Sequence, residues 1–416
     1  MIFTHAGGDV KTLNSAFERY SALIFKHQAS NKFSADTKFL THVSVKIEDP
    51  SESYPQLDTD ESYQLYIPSD GGEITLSAKT VYGAMYGLES LSQLIIFDYD
   101  TQSYVIPSTP ITIDDAPRYA HRGMLLDTSR HFQPISFLQA TIDALSYAKY
   151  NVLHWHVVDT QSFPFESLTY PKLWEGSYTK QERYTQNDIK SLVEYGRLRG
   201  VKIMIEFDMP GHAASWCAGY PEICPSTLCT QPLNPASNLT FPLITSLLGE
   251  CTGDSTSEGL FPYTMLHLGG DEVSYKCWEA SSDIRAWEEA NGFEGSEDTY
   301  EYFVDKAATI TRSLNRLPVQ WVEVFEHFGS NLDNNTVVHV WKEKTTLDGV
   351  LTAGYRALLS NQDDWYLDHL STTWDVMYLN EPTAGLSTTS DPALILGGMF
   401  YIVACSRICL MSYVCR

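Results

Sequence analysis

Basic residues are scarce in this chain. Its 416 residues include 28 Lys and Arg against 52 Asp and Glu, a formal net charge of −24. A surface of that sign repels phosphate backbones, which argues against nucleic acid as a partner. Long apolar runs are missing too. No stretch reaches the roughly 18–20 residues a membrane-spanning helix needs, so no membrane span is expected. The opening Met1-Ile-Phe-Thr-His-Ala-Gly-Gly-Asp9 has no basic cluster and no apolar core, so it does not read as a signal peptide. There is no P-loop, dinucleotide fingerprint or G-x-S-x-G elbow. Cysteine does not occur before Cys217.

What is present begins with the eight cysteines, Cys217, Cys224, Cys229, Cys251, Cys277, Cys405, Cys409 and Cys415. None forms a C-x-x-C pair or a zinc-like Cys/His cluster. Buried free thiols are one reading. The grouping between Cys217 and Cys277 leans towards local disulfides and an oxidising compartment. The sequons at Asn238 and Asn334 point the same way. Aromatics make up 12%, with 25 Tyr, 18 Phe and 9 Trp. Core packing explains most such rings, and stacking on sugar faces is the sharper alternative.

Residues 1–115 read as a small α+β domain, with strands at Ser62–Ile67 and Glu73–Ser77 and helices at Leu13–Phe25 and Thr80–Leu94. Asp114–Arg118 reads as a linker. Residues 116–398 alternate apolar strands with amphipathic helices. Strands are expected at Gly123–Asp127, Val152–Val158, Lys202–Phe207, Met265–Leu268, Val319–Val324, Val337–Trp341, Arg356–Leu359 and Ala393–Leu396. The fold class is therefore α/β, a (β/α)8 TIM barrel preceded by the small α+β domain, with a doubly wound sheet as runner-up.

Polar residues gather at the expected strand ends: Asp127 and Arg130, Asp159, Glu206 and Asp208 followed by His212, Asp271 and Glu272, Trp321 and Glu323, Trp341, then Asp363 to Asp368. In such a barrel these ends converge on one mouth. The two glycines of Leu266-His-Leu-Gly-Gly-Asp-Glu272 allow a tight turn into paired carboxylates. Burial and repulsion would split their pKa values into one acid and one anion; a helix N-cap is the plainer reading. His154-Trp-His156 puts two imidazoles on one strand face. They read as hydrogen-bonded core histidines or, with His212 and Asp159, as a metal-dependent hydrolase site.

Four strings in order carry a family resemblance: His121-Arg-Gly-Met-Leu-Leu-Asp-Thr-Ser-Arg-His131, Asn151-Val-Leu-His-Trp-His-Val-Val-Asp159, Glu206-Phe-Asp-Met-Pro-Gly-His212 and His267-Leu-Gly-Gly-Asp-Glu272. The chain resembles the β-N-acetylhexosaminidases of glycoside hydrolase family 20. The resemblance implies removal of terminal non-reducing N-acetylhexosamine from glycans or chitin oligomers, by a retaining mechanism in which the substrate's acetamido group is the nucleophile. It implies no cofactor and no metal. Glu272 would be the general acid and base, and Asp271 would hold the acetamido N–H. Tyr366 would bond the acetamido oxygen, with Trp321, Trp341 and Trp374 around the methyl. Arg130 and Asp368 would bind sugar hydroxyls, and Asp159 and His212 would support Glu272. A Cys229–Cys277 disulfide follows from relatives, with Cys217–Cys224 as a looser pairing. A homodimer and a lysosomal, vacuolar or extracellular home are also implied.

One region departs from the family. After Gly398 the expected Glu, Met-Trp and second Glu are replaced by a cysteine-rich apolar tail at 399–416, as a shifted reading frame or misread intron would give. The barrel is thus expected to be incomplete at its C-terminal end, and the small domain to start part-way through. A non-catalytic sugar-binding remnant or an unstable fragment with open sheet edges is the alternative to an active glycosidase.

Overall fold

The computed structural model describes residues 1–5, 10–30, 37–253, 259–369 and 371–402. Its first compact unit comprises Met1–Ala120 with Ile142–Tyr150 and Tyr195–Val201. The unit thus runs past the expected boundary after residue 115. Five strands, β1 (Ile2–His5), β2 (Leu40–Ile47), β3 (Tyr63–Ile67), β4 (Gly72–Ala78) and β7 (Ile111–Asp115), form one sheet in the order β1-β2-β4-β3-β7. Between them β5 (Ile96–Asp98) and β6 (Ser103–Val105) make a separate hairpin. Helix α1 (Lys11–Ile24) buries Leu13, Ala16, Tyr20 and Ile24, a single stripe at helical spacing. Helix α2 (Val81–Leu94) is capped by Thr80, whose side chain accepts from the Gly83 N–H at 3.2 Å, a contact whose loss typically costs about 1 kcal/mol. The expected linker at Asp114–Arg118 instead begins inside β7, which pairs with β3 through Asp115.

The second unit is an eight-stranded barrel. Its strands are β8 (His121–Asp127), β9 (Val152–Val158), β10 (Lys202–Phe207), β11 (Met265–His267), β12 (Leu317–Trp321), β13 (Val337–Val340), β14 (Arg356–Leu359) and β15 (Ile395–Ile402). All pair in parallel and in chain order. The strands are apolar runs because both faces of a parallel sheet are covered, and every residue of β9 and β10 is buried. The Val319–Val324 run ends as a strand at Trp321 and continues as a helix, Val322–Phe328.

The open-edged barrel is corrected by the last strand. β15 pairs with β14 on one side and with β8 on the other, through six residues from Gly397 to Ile402. A backbone ladder asks little of side-chain identity, so Met399-Phe-Tyr-Ile402 completes the circle. Residues 403–416, with Cys405, Cys409 and Cys415, lie outside the described residues. Among the described residues no helix is long and apolar enough to cross a membrane.

Candidate active site

The strand ends bring most of the expected polar residues together. Arg130 is the hub of one side. Its guanidinium donates to Asp127 Oδ2 at 2.9 Å and pairs with Asp159 Oδ2 at 2.8 Å. Burial works against its charge, but these two carboxylates outweigh it and raise its pKa. Asp159 also holds His156 Nε2 at 2.7 Å and His212 Nδ1 at 3.2 Å. The other nitrogen of His212 faces Glu272 Oε2 at 3.3 Å and Asp271 Oδ2 at 3.6 Å. Burial pulls the His212 pKa down, yet Asp208, Asp159 and Glu272 lift it to about 12. The His212 imidazolium in turn holds Glu272 below the usual carboxylate range, by hydrogen bond first and by charge second.

The turn after β11 is built for this contact. Gly269 and Gly270 take positive φ of 69° and 104°. A Cβ on Gly269 would lie 1.8 Å from Asp208 Oδ1, so the first glycine makes room for a carboxyl rather than for a ligand. Asp208 accepts from the Gly270 N–H at 3.0 Å. Burial, then the charge of Asp271, push its pKa well up. Glu272 is therefore not the raised acid that the sequence suggested, because His212 pulls it down. Asp208, which the sequence placed at a strand end without a role, is pushed up instead.

Aromatic rings form the other side. A cavity of about 270 Å³ is lined by Asp271, Glu272, Trp321, Trp341, Tyr366 and Tyr401, among others. Trp321 is fixed by its indole N–H to Glu206 Oε1 at 3.0 Å, and Trp341 by its own to Glu323 Oε2 at 2.9 Å. Tyr366 stacks on Tyr401 with centroids 4.1 Å apart and an interplanar angle of 12°. The Leu367 N–H donates to the Tyr401 carbonyl at 3.1 Å, which ties the Tyr366 loop to β15. Burial raises the Tyr366 pKa, so the phenol stays a donor.

Three expectations change. Trp374 starts the short helix Trp374–Leu379, is 78% exposed and does not line the cavity. Asp368 is also outside the cavity lining, although its Oδ1 is buried without a partner among the described residues. The proposed metal set is divided. His154 clusters with His267 and His339, and His156 with Asp159 and Asp208. Glu206 Oε2 meets both His154 Nε2 at 2.8 Å and His156 Nδ1 at 2.7 Å. The two imidazoles thus lie against one buried carboxylate, which hydrogen-bonds His156. Tyr401 is the residue the sequence missed, because it falls in the tail read as aberrant. The run Ile395-Leu-Gly-Gly-Met-Phe-Tyr-Ile402 has no polar alternation that would have marked it.

Cys217 bonds Cys224, and Cys229 bonds Cys277, with Cα–Cα distances of 6.0 and 5.5 Å. The second bridge ties the loop after His212 to the helix Lys276–Ala280 just beyond Glu272. Asn238 and Asn334 lie exposed in turns.

The family described as "Glycosyl hydrolase family 20, catalytic domain" matches residues 119–391, and "beta-acetyl hexosaminidase like" matches residues 3–94. The chain belongs to glycosyl hydrolase family 20. This is a family of glycosidases. The chain is 40% identical to Beta-hexosaminidase 1 of Arabidopsis thaliana, over 96% of this chain and 74% of that one. It is 42% identical to Beta-hexosaminidase 3 of the same plant, over 82% of this chain and 62% of that one. Among solved structures it is similar to a chitobiase of Flavobacterium johnsoniae, with a TM-score of 0.78 and 28% identity, over 97% of this chain and 62% of that one. The chain thus spans between three fifths and three quarters of the length of these relatives.

Proposed function

We propose that this chain is a β-N-acetylhexosaminidase that releases terminal non-reducing N-acetylhexosamine. One observation carries the reading: Asp271 and Glu272 share a cavity with Trp321, Trp341 and Tyr366. That combination matches an acetamido sugar. A carboxylate accepts the amide N–H, a phenol donates to the carbonyl, and indole faces cover the methyl group.

The chemistry follows from these positions. The acetamido oxygen attacks the anomeric carbon while Glu272 gives its proton to the departing oxygen. The C–O bond to the leaving group breaks and a cyclic oxazolinium forms. Asp271, an anion beside the amide nitrogen, stabilises the charge that develops there. Glu272, now ionised, takes a proton from water as that water adds to the same face. Configuration is retained, and the acetamido group is regenerated.

His212 favours ionised Glu272 in the free site, so the acid form is most populated at low pH. An acidic lysosomal, vacuolar or extracellular setting fits this, and the two disulfides fit an oxidising route to it. The test is turnover of 4-nitrophenyl N-acetyl-β-D-glucosaminide and its galacto epimer by the purified chain. Release of nitrophenol that disappears in Glu272→Gln supports the reading. Failure to cleave either sugar between pH 4 and pH 7 would sink it.

A further inference from the structure

Glu206 reaches both sides of the barrel mouth, yet it is 0% exposed and does not border the cavity that holds Glu272. On β10 it stands in register with His156 of β9 and His267 of β11. Its Oε1 accepts the Trp321 indole N–H at 3.0 Å, and its Oε2 meets His156 Nδ1 at 2.7 Å. Two nearer-looking partners contribute less. His154 Nε2, 2.8 Å from Oε2, makes no hydrogen bond of adequate geometry. His267 Nδ1, 3.2 Å from Oε1, accepts from the Gly269 N–H at 3.1 Å. A backbone N–H only donates, so that nitrogen has no proton to offer Glu206.

The protons on His156 follow from its two neighbours. Glu206 Oε2 faces one ring nitrogen at 2.7 Å, and Asp159 Oδ2 faces the other at 2.7 Å. An ionised carboxylate only accepts, so both nitrogens carry hydrogen and the ring is an imidazolium. Burial works against all three charges, and their mutual attraction outweighs it. Arg130 Nη1 also lies 3.2 Å from His156 Nε2, but its hydrogen goes to Asp127 Oδ2 at 2.9 Å. His212 stands in the same way between Asp159 and Glu272. Negative and positive groups therefore alternate from Glu206 through His156, Asp159 and His212 to Glu272.

A carboxylate at the buried end of this chain, with an indole on its other oxygen, links two parts that must keep their spacing. The acid has to reach the departing oxygen while the ring covers the acyl group. Misplacing a reacting group by about 1 Å can cost on the order of 10²-fold in rate.

We propose that Glu206 is a positioning residue for the hydrolysis: it holds the Trp321 indole and, through His156, Asp159 and His212, the Glu272 carboxyl in one fixed relation. This rests on the glycosidase reading above and adds a residue that does not touch the substrate.

The test compares two aryl N-acetyl-β-D-glucosaminides on the full chain. The phenyl glycoside leaves as a basic oxygen that needs the Glu272 proton, whereas the 3,4-dinitrophenyl glycoside leaves as a stable anion that needs it far less. Glu206→Gln can keep the Trp321 bond through its amide oxygen, and then turns an NH2 towards His156. It is expected to lower kcat/KM for the phenyl glycoside by roughly tenfold, and for the dinitrophenyl glycoside by less than about threefold. His156→Gln breaks the chain from the other end, keeping a donor for Asp159 and losing the Glu206 contact, and should show the same split. A purely structural role lowers the folded fraction and so reduces both substrates alike. Equal losses on both, or no loss on the phenyl glycoside, overturn the proposal. If neither variant folds by circular dichroism, Glu206 holds the barrel rather than the site, and the proposal falls too. A wild-type chain inert to both glycosides removes the glycosidase reading itself, a pattern distinct from the others.

Discussion

One side of the barrel mouth is held by charges and the other by rings. From Asp127 to Glu272 nearly every polar atom answers to another: Arg130, Asp159, His156 and His212 form one connected set of ion pairs. From Trp321 to Tyr401 the contacts are stacking and single indole hydrogen bonds. The two constructions fail differently. Removing one member of a buried charge set strands its partners, whereas a ring can be exchanged for another of similar volume at small cost.

The largest expected effect is on the charged side. Glu272→Gln keeps the shape and removes the proton, so kcat should fall about 10²–10⁴-fold. Steady-state rates on the nitrophenyl glycoside measure this, and a variant within tenfold of wild type would take Glu272 out of the acid role. Arg130→Ala should lose about 3–5 kcal/mol of stability, because Asp127, 1% exposed, would keep buried charge without an ion-pair partner among the described residues, and Asp159, 0% exposed, would keep only His156 and His212. Urea melts test it, and an unchanged midpoint would show that the network is not held by charge.

Cys229→Ser should cost about 2–4 kcal/mol through the lost 48-residue closure. A reduced chain that melts with the oxidised one would contradict this. A pH profile sharpens the picture further. Activity that needs protonated Glu272 is lost as pH rises through its pKa in the free enzyme. His212 holds that pKa down, so His212→Asn should move the basic limb of kcat/KM to higher pH. A limb that stays put, or moves to lower pH, would separate Glu272 from His212.

The smallest effect belongs to the ring side. Tyr401→Phe keeps the stack on Tyr366 and removes a hydroxyl that is buried without a hydrogen bond of adequate geometry. Stability should hold or rise slightly, with kcat within about threefold. A loss comparable to that of Arg130→Ala would erase the contrast between the two sides.

The sequence made the charged side easier to read than the ring side, for a physical reason. Carboxylates and imidazoles at strand ends are unusual enough to stand out, so Arg130, Asp159, His212, Asp271 and Glu272 were all visible and all converge. Aromatic residues are common in cores, and their position along the chain says little about where a ring lands. Trp374 carried the right chemistry and sits on an exposed helix, while Tyr401 had no polar neighbour to mark it. The strands β9, β10 and β14 were legible to the residue because their runs end there against a polar residue, Asp159, Asp208 or Ser360. β12 was not, since Val322 and Val324 extend the same run into a helix. In the first unit β1, β2 and β7 went unread. β1 and β7 are short and lie at the sheet edges, and β2, inside the sheet, buries only Val43 and Val45.

The closing strand separates two kinds of inheritance. From Gly397 onward β15 meets β8 through backbone groups that any β-compatible residue supplies. The architecture therefore asks only for a ladder along this strand. The cavity asks for more, since Tyr401 of the same strand contributes a ring to its lining. One strand thus answers to two separate demands, and a substitution that satisfies the barrel can still change the pocket.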